Sequence, residues 1–110
     1  METKTYYTLD DTLPFAPIHP GEMLLDELQA RRLSQRKFAE LIGCSYSFLN
    51  EIIKGKRSIT TETALKIEAA TGIKAYIWVR LQAAYNMQTA KADRKLNDLL
   101  TQIRQAAALL

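Results

Sequence analysis

At 110 residues, with 47% apolar and 25% charged positions, the chain has the length and balance of one ordinary globular domain. No apolar run approaches the roughly 20 residues of a bilayer span, and METKTYYTLDD lacks the basic start and apolar centre of a signal peptide, so the expected location is the cytoplasm. A net charge of +3 is too mild to name a partner, while a single cysteine (Cys44) and a single histidine (His19) exclude an internal disulfide and a zinc site built from this chain alone.

Residues 1–17 carry Tyr6, Tyr7, Phe15, Pro14 and Pro17 without helical period, which predicts an extended arm or short strand. Pro20 suits the first turn of a helix, and Met23, Leu24, Leu28 and Leu33 give it an apolar stripe up to about Arg32. Ser34 is a good N-cap for a second helix bearing Phe38, Ala39, Leu41 and Ile42, and Gly43 can take the left-handed conformation that stops it. Ser45 caps the third, in which Phe48, Leu49, Ile52 and Ile53 form the buried stripe while Tyr46, Ser47, Asn50, Glu51 and Lys54 face mostly the other way, before Gly55.

A fourth helix is expected from Thr60 or Thr61, with Glu62 in its first turn and Ala64, Leu65, Ile67 and Ala70 inward, ending at Gly72. The fifth runs from about Ala75 with Ile77, Trp78, Leu81, Ala84 and Tyr85 on one side. A last segment from about Lys91 carries a seam of Leu96, Leu99, Leu100, Ile103, Ala107 and Leu110, which either folds back on its own domain or pairs with a second copy. The expectation is all-α: a five-helix domain over 18–90, an N-terminal arm at 1–17 and a C-terminal helix at 91–110.

The stretch SQRKFAELIGCSYSFLNEIIKGKR, residues 34–57, reads as two short amphipathic helices joined by a tight turn, a helix-turn-helix. Positive charge collects there. Residues 34–60 hold Arg36, Lys37, Lys54, Lys56 and Arg57 against Glu40 and Glu51, whereas residues 1–19 hold Glu2, Asp10 and Asp11 against Lys4. Such cations neutralise phosphates and release counterions, so binding should weaken with salt.

Gln35 sits at a helix N-terminus, where backbone donors favour a phosphate. Tyr46 and Ser47 open the third helix and reach toward base edges, and Asn50 suits adenine. Glu51 is repelled by phosphates unless it accepts from cytosine N4 or pairs with a nearby cation. Lys54, Lys56 and Arg57 suit the phosphate backbone, which fixes register without reading sequence. Trp78 reads as core or dimer contact, and His19 as a helix cap, since no nucleophile or carboxylate pair accompanies it. With no glycine-rich phosphate loop, HExxH or nucleophile elbow, neither enzyme activity nor a cofactor or metal is expected.

With these residues placed, the chain resembles the HigA-type antitoxins, within the phage-repressor-like helix-turn-helix family. The resemblance spans about residues 17–90 and rests on Ile18-His19-Pro20-Gly21-Glu22 followed by Leu24-Leu25, on Leu33-Ser34-Gln35 with Ala39, and on Ile52 with Gly55-Lys56-Arg57. It continues through Ile59-Thr60 and Thr63-Ala64-Leu65 to Trp78, Leu81-Gln82 and Tyr85. It implies an antitoxin that binds and neutralises a cognate small toxin, typically an mRNA endonuclease, and represses its own operon as a homodimer on double-stranded operator DNA. It further implies phosphate contacts at Gln35, Ser45 and Lys54 and base reading at Tyr46, Ser47 and Glu51, the last departing from the amides often found there. A regulator without a toxin partner is the alternative, as is an interaction module whose helix-turn-helix no longer binds DNA. The acidic, aromatic arm complements the basic surface expected of an RNA-cutting toxin.

Overall fold

The computed structural model describes residues 17–110. Among them lie six helices: α1 (Pro20–Ala30), α2 (Gln35–Ile42), α3 (Tyr46–Ile53), α4 (Thr61–Thr71), α5 (Ala75–Lys91) and α6 (Arg94–Ala107). The arm expected at 1–16 lies outside the described residues. No described helix is long and apolar enough to cross a membrane.

The helix starts follow local chemistry. Ser34, Ser45 and Thr60 each stand in extended backbone, and their hydroxyl oxygens accept from the amides of Lys37, Phe48 and Thr63 at 3.1, 3.0 and 3.2 Å. Each cap satisfies one otherwise orphaned N–H, worth about 1 kcal/mol. Between α2 and α3, Gly43 adopts φ 75°, and the amides of Gly43 and Cys44 fold back onto the carbonyls of Glu40 and Ala39. That 5→2, 6→1 pattern closes a helix in two residues and lets the next begin at once.

Packing then orders the helices. The core draws Leu24 and Leu28 from α1, Phe38, Ala39 and Ile42 from α2, Leu49, Ile52 and Ile53 from α3, Ile59 from the following loop, Ala64 and Ile67 from α4, and Trp78 and Leu81 from α5. Helix α1 spans α3 and α5, while α4 lies along α5. Trp78 is fully buried, as a core residue, and its Nε1 has no hydrogen-bond partner among the described residues. Helix α6 packs against α5 but buries none of its residues, leaving Leu99 and Ile103 exposed.

Several expectations change. The first helix stops at Ala30 because Arg31 caps it and Arg32 turns left-handed at φ 57°, with the Leu33 amide donating to the Leu28 carbonyl. The last helix starts later than Lys91, at Arg94, because Asp93 caps it by accepting from the Leu96 amide. Leu41 and Leu65, expected inside, are 62% and 55% exposed. In each helix the true buried set (Phe38, Ala39 and Ile42; Thr63, Ala64 and Ile67) keeps to a narrow stripe, and the extra leucine is rotated off it by the 3.6-residue period.

Candidate nucleic-acid interface

Helix α3 is seated in the core by its inner face. Leu49, Ile52 and Ile53 are buried, while Ser47 and Lys54 are exposed and Asn50 and Glu51 are half-buried. Ser47, Glu51 and Lys54 follow at i, i+4 and i+7 and therefore share one outward face. Gln35, at the start of α2, reaches α3: its Oε1 accepts from Asn50 Nδ2 at 2.9 Å, tying the two helix-turn-helix members together through polar side chains. Asn50 is thereby oriented, with its own carbonyl oxygen left to accept. Ser45 spends one lone pair on the cap, leaving the hydroxyl proton to donate.

The cations are unequally held. The Arg36 guanidinium lies over the exposed Tyr46 ring, 4.6 Å from its centroid. Arg57 donates from Nε and Nη2 to one oxygen of Glu51 at 2.9 and 2.8 Å and lies 4.7 Å from the centroid of Phe48. Glu51 has therefore found a cation, the second of the two arrangements its position permits. Lys54 and Lys56 are exposed beside it. All ten expected site residues, Gln35, Arg36, Ser45, Tyr46, Ser47, Asn50, Glu51, Lys54, Lys56 and Arg57, thus lie on α2, α3 and the turns beside them, with none in the core.

Behind this face stands a brace. His19 caps α1, its Nδ1 accepting from the Gly21 amide at 2.9 Å; its ring stands edge-on to Tyr85 of α5, centroids 4.7 Å apart. Burial pushes its pKa below the ordinary 6.5, with Glu22 pulling weakly the other way. Gly21 sits so close to the last turn of α3 that a Cβ there would overlap the Ile52 carbonyl. From α5, the buried Gln82 accepts from the Ile59 amide at 2.8 Å and donates to Asn86 at 2.9 Å, fixing the loop that follows α3. Gln82 and Gly21 escaped sequence reasoning as structural parts, although a glycine inside a helix is itself a sign of close approach.

The turn cysteine, Cys44, is partly buried, and that burial raises its thiol pKa, the opposite of an activated nucleophile. Among the described residues no group of three or more His, Cys, Asp or Glu side chains is placed to hold a metal ion.

The family model described as helix-turn-helix matches residues 24–78, half of the chain. The chain is 38% identical to virulence-associated protein I of Dichelobacter nodosus over 79 residues, covering 71% of this chain and 73% of that one. It is also similar to a HigA-family addiction module antidote protein from Coxiella burnetii, at TM-score 0.68 and 32% identity over 83% of this chain and 95% of that one. The Pseudomonas aeruginosa antitoxin HigA, solved with the higBA promoter, superposes at TM-score 0.67 and 34% identity over 69% and 84%.

Proposed function

The chain belongs to the helix-turn-helix family, and from that premise we propose that it is an antitoxin that represses its own operon and neutralises a cognate toxin protein. The observation that carries the DNA half is the outward face of α3, with Tyr46, Ser47, Asn50 and Glu51 accessible and Arg36, Lys54, Lys56 and Arg57 around it. A short helix buried on one side and rimmed by cations on the other fits the major groove, which is wide enough for one helix. The likeness to an antitoxin solved with promoter DNA supports the same reading.

Tyr46, Ser47 and Asn50 meet base edges; Gln35, Ser45, Arg36, Lys54 and Lys56 grip phosphates; and a homodimer sets two α3 helices about one helical turn (~34 Å) apart on a palindromic operator. The dimer is supported by an apolar stripe on the outside of α5, where Tyr76, Val79 and Met87 are exposed, and by the unburied Leu99 and Ile103 of α6. The toxin half rests on likeness to antidote proteins and on the acidic, aromatic composition of residues 1–16.

Two measurements test this. In a salt titration, binding to duplex from the gene's own upstream region should exceed binding to random duplex and fall with a log–log slope near −0.9 per phosphate neutralised. Equal affinity for both duplexes refutes repression. Co-purification with the neighbouring gene's product, abolished by removing residues 1–16, tests the toxin half; specific DNA binding with no such partner favours the regulator without a toxin.

A further inference from the structure

Glu51 is out of place on a DNA-facing surface. It shares its helix face with Ser47 and Lys54, where a carboxylate meets phosphates at a disadvantage. Its ion pair with Arg57 does not explain it as a stabiliser, because the two side chains are 44% and 48% exposed and pairs that open to solvent contribute little. What the pair does is immobilise a guanidinium. Nε and Nη2 both donate to the same Glu51 oxygen, and Cζ lies over the Phe48 ring, 4.7 Å from its centroid, so the arginine is held from two sides.

We propose that Glu51 is a positioning residue and that Arg57, held by it, is the side chain that reads a guanine in the major groove. This rests on the operator-binding reading above. Of the five N–H groups on an arginine, Glu51 engages one on Nε and one on Nη2. Both protons of Nη1 and one of Nη2 stay available at the end of the fork. One donor from each terminal nitrogen is the pattern that meets O6 and N7 of guanine, the commonest specific arginine contact. A fork already held in place loses less freedom on binding than a mobile one. Lys54 and Lys56, compact charges on flexible stems, suit phosphates instead, and Arg36 has a ring beneath it but, among the described residues, no carboxylate to aim it. The position therefore specifies sequence through its neighbour, without Glu51 itself touching a base.

The experiment uses the full chain and a randomised duplex library long enough for two half-sites about one turn apart. Selection should enrich a guanine at one position of each half-site. Against the selected duplex, Arg57→Ala should bind roughly ten- to a hundredfold more weakly and lose the guanine preference. Glu51→Ala should flatten the same position, and Glu51→Ala/Arg57→Ala should be no worse than Arg57→Ala alone. Arg57→Lys, which keeps charge but not the fork, should not restore the preference. Losses that add in the double variant would mean that Glu51 acts independently, which overturns the proposal. So would Arg57→Ala weakening all duplexes equally with a shallower salt slope, the mark of a phosphate contact. Selection that enriches no sequence overturns operator binding itself and this proposal with it. Because both side chains are half exposed, each variant should keep its thermal midpoint within about 4 °C of the parent, which separates lost reading from lost folding.

Discussion

Replacing Gly21 by alanine should damage this protein more than any other single added methyl group in the helix-turn-helix. Gly21 is the second residue of α1, where it lies against the last turn of α3. An added Cβ would overlap the Ile52 carbonyl oxygen and stand 2.9 Å from both the Ile52 carbonyl carbon and the Ile53 Cα. Ordinary contact begins at 3.4 Å, and the obstructing atoms are backbone, so no rotamer change relieves the clash; one helix must move. Overpacking of this kind costs about 1–3 kcal/mol or more, and alanine's better helix propensity returns under about 1 kcal/mol. A net loss of about 2 kcal/mol corresponds to roughly 8–16 °C of thermal midpoint for a domain of this size. Helix α3 is displaced at its C-terminal end, so operator affinity should also fall well below either midpoint.

The control is Gly43→Ala. Among the described residues no heavy atom beyond its chain neighbours lies within 4 Å of a Cβ there, and only the positive φ of 75° penalises it, by about 1 kcal/mol. Thermal unfolding followed by circular dichroism measures both. A Gly21→Ala midpoint within about 2 °C of the parent, or a smaller loss than Gly43→Ala, would refute the close packing of α1 on α3.

The pH dependence follows from His19. Its pKa lies below the ordinary 6.5 in the fold, so the unfolded chain binds the proton more readily; the stability it confers is present above about pH 6.5 and lost as pH falls through the lowered value. A protonated ring also cannot accept from the Gly21 amide. Midpoints measured from pH 7 to 5 should therefore drop more for the parent than for His19→Asn, which caps without titrating; parallel curves would contradict this. Gln82→Leu keeps volume but strands the buried Ile59 amide, and should cost about 1–3 kcal/mol in denaturant unfolding. Thr60→Ala removes the α4 cap and should cost about 1 kcal/mol in the same assay. Leu99→Ser with Ile103→Ser should convert a dimer to a monomer by light scattering, with the secondary structure of the remaining helices retained, if α6 contributes the subunit contact.

The helix order was legible because the punctuation is local. Ser34, Ser45 and Thr60 cap where their positions imply, and Gly43 and Gly72 close helices through positive φ, all within one turn of chain. The end of α1 was not, because Arg32 adopts a conformation that glycine or asparagine normally signals. Leu41 and Leu65 misled because an apolar residue beside a helical stripe looks like part of it until partners define the stripe's width. Of the candidate site, the placement of its residues on α2, α3 and the adjoining turns was readable and their pairings were not. Nothing local states that Gln35 binds Asn50, 15 positions away, or that Arg57 turns back six residues to Glu51.

The motifs flanking the helix-turn-helix brace it without lying on its outer face. His19 lies beneath Gly55, with 3.6 Å from its ring to a Cβ built on that glycine; Gly21 touches Ile52 and Ile53; Tyr85 meets His19; and Gln82 holds Ile59. Each contact bears on the segment from Ile52 to Ile59, the end of α3 and the loop that carries Lys54, Lys56 and Arg57. An eight-residue helix is only about 12 Å long, too short to be stable without tertiary support, and of its polar side chains Asn50 ties it to Gln35 of α2, not to the elements behind its C-terminal end. Rigidity at its C-terminal end must come from neighbours. The His-Pro-Gly and Leu-Gln…Tyr elements supply it from α1 and α5, so the outward side chains of α3 are held in place from behind.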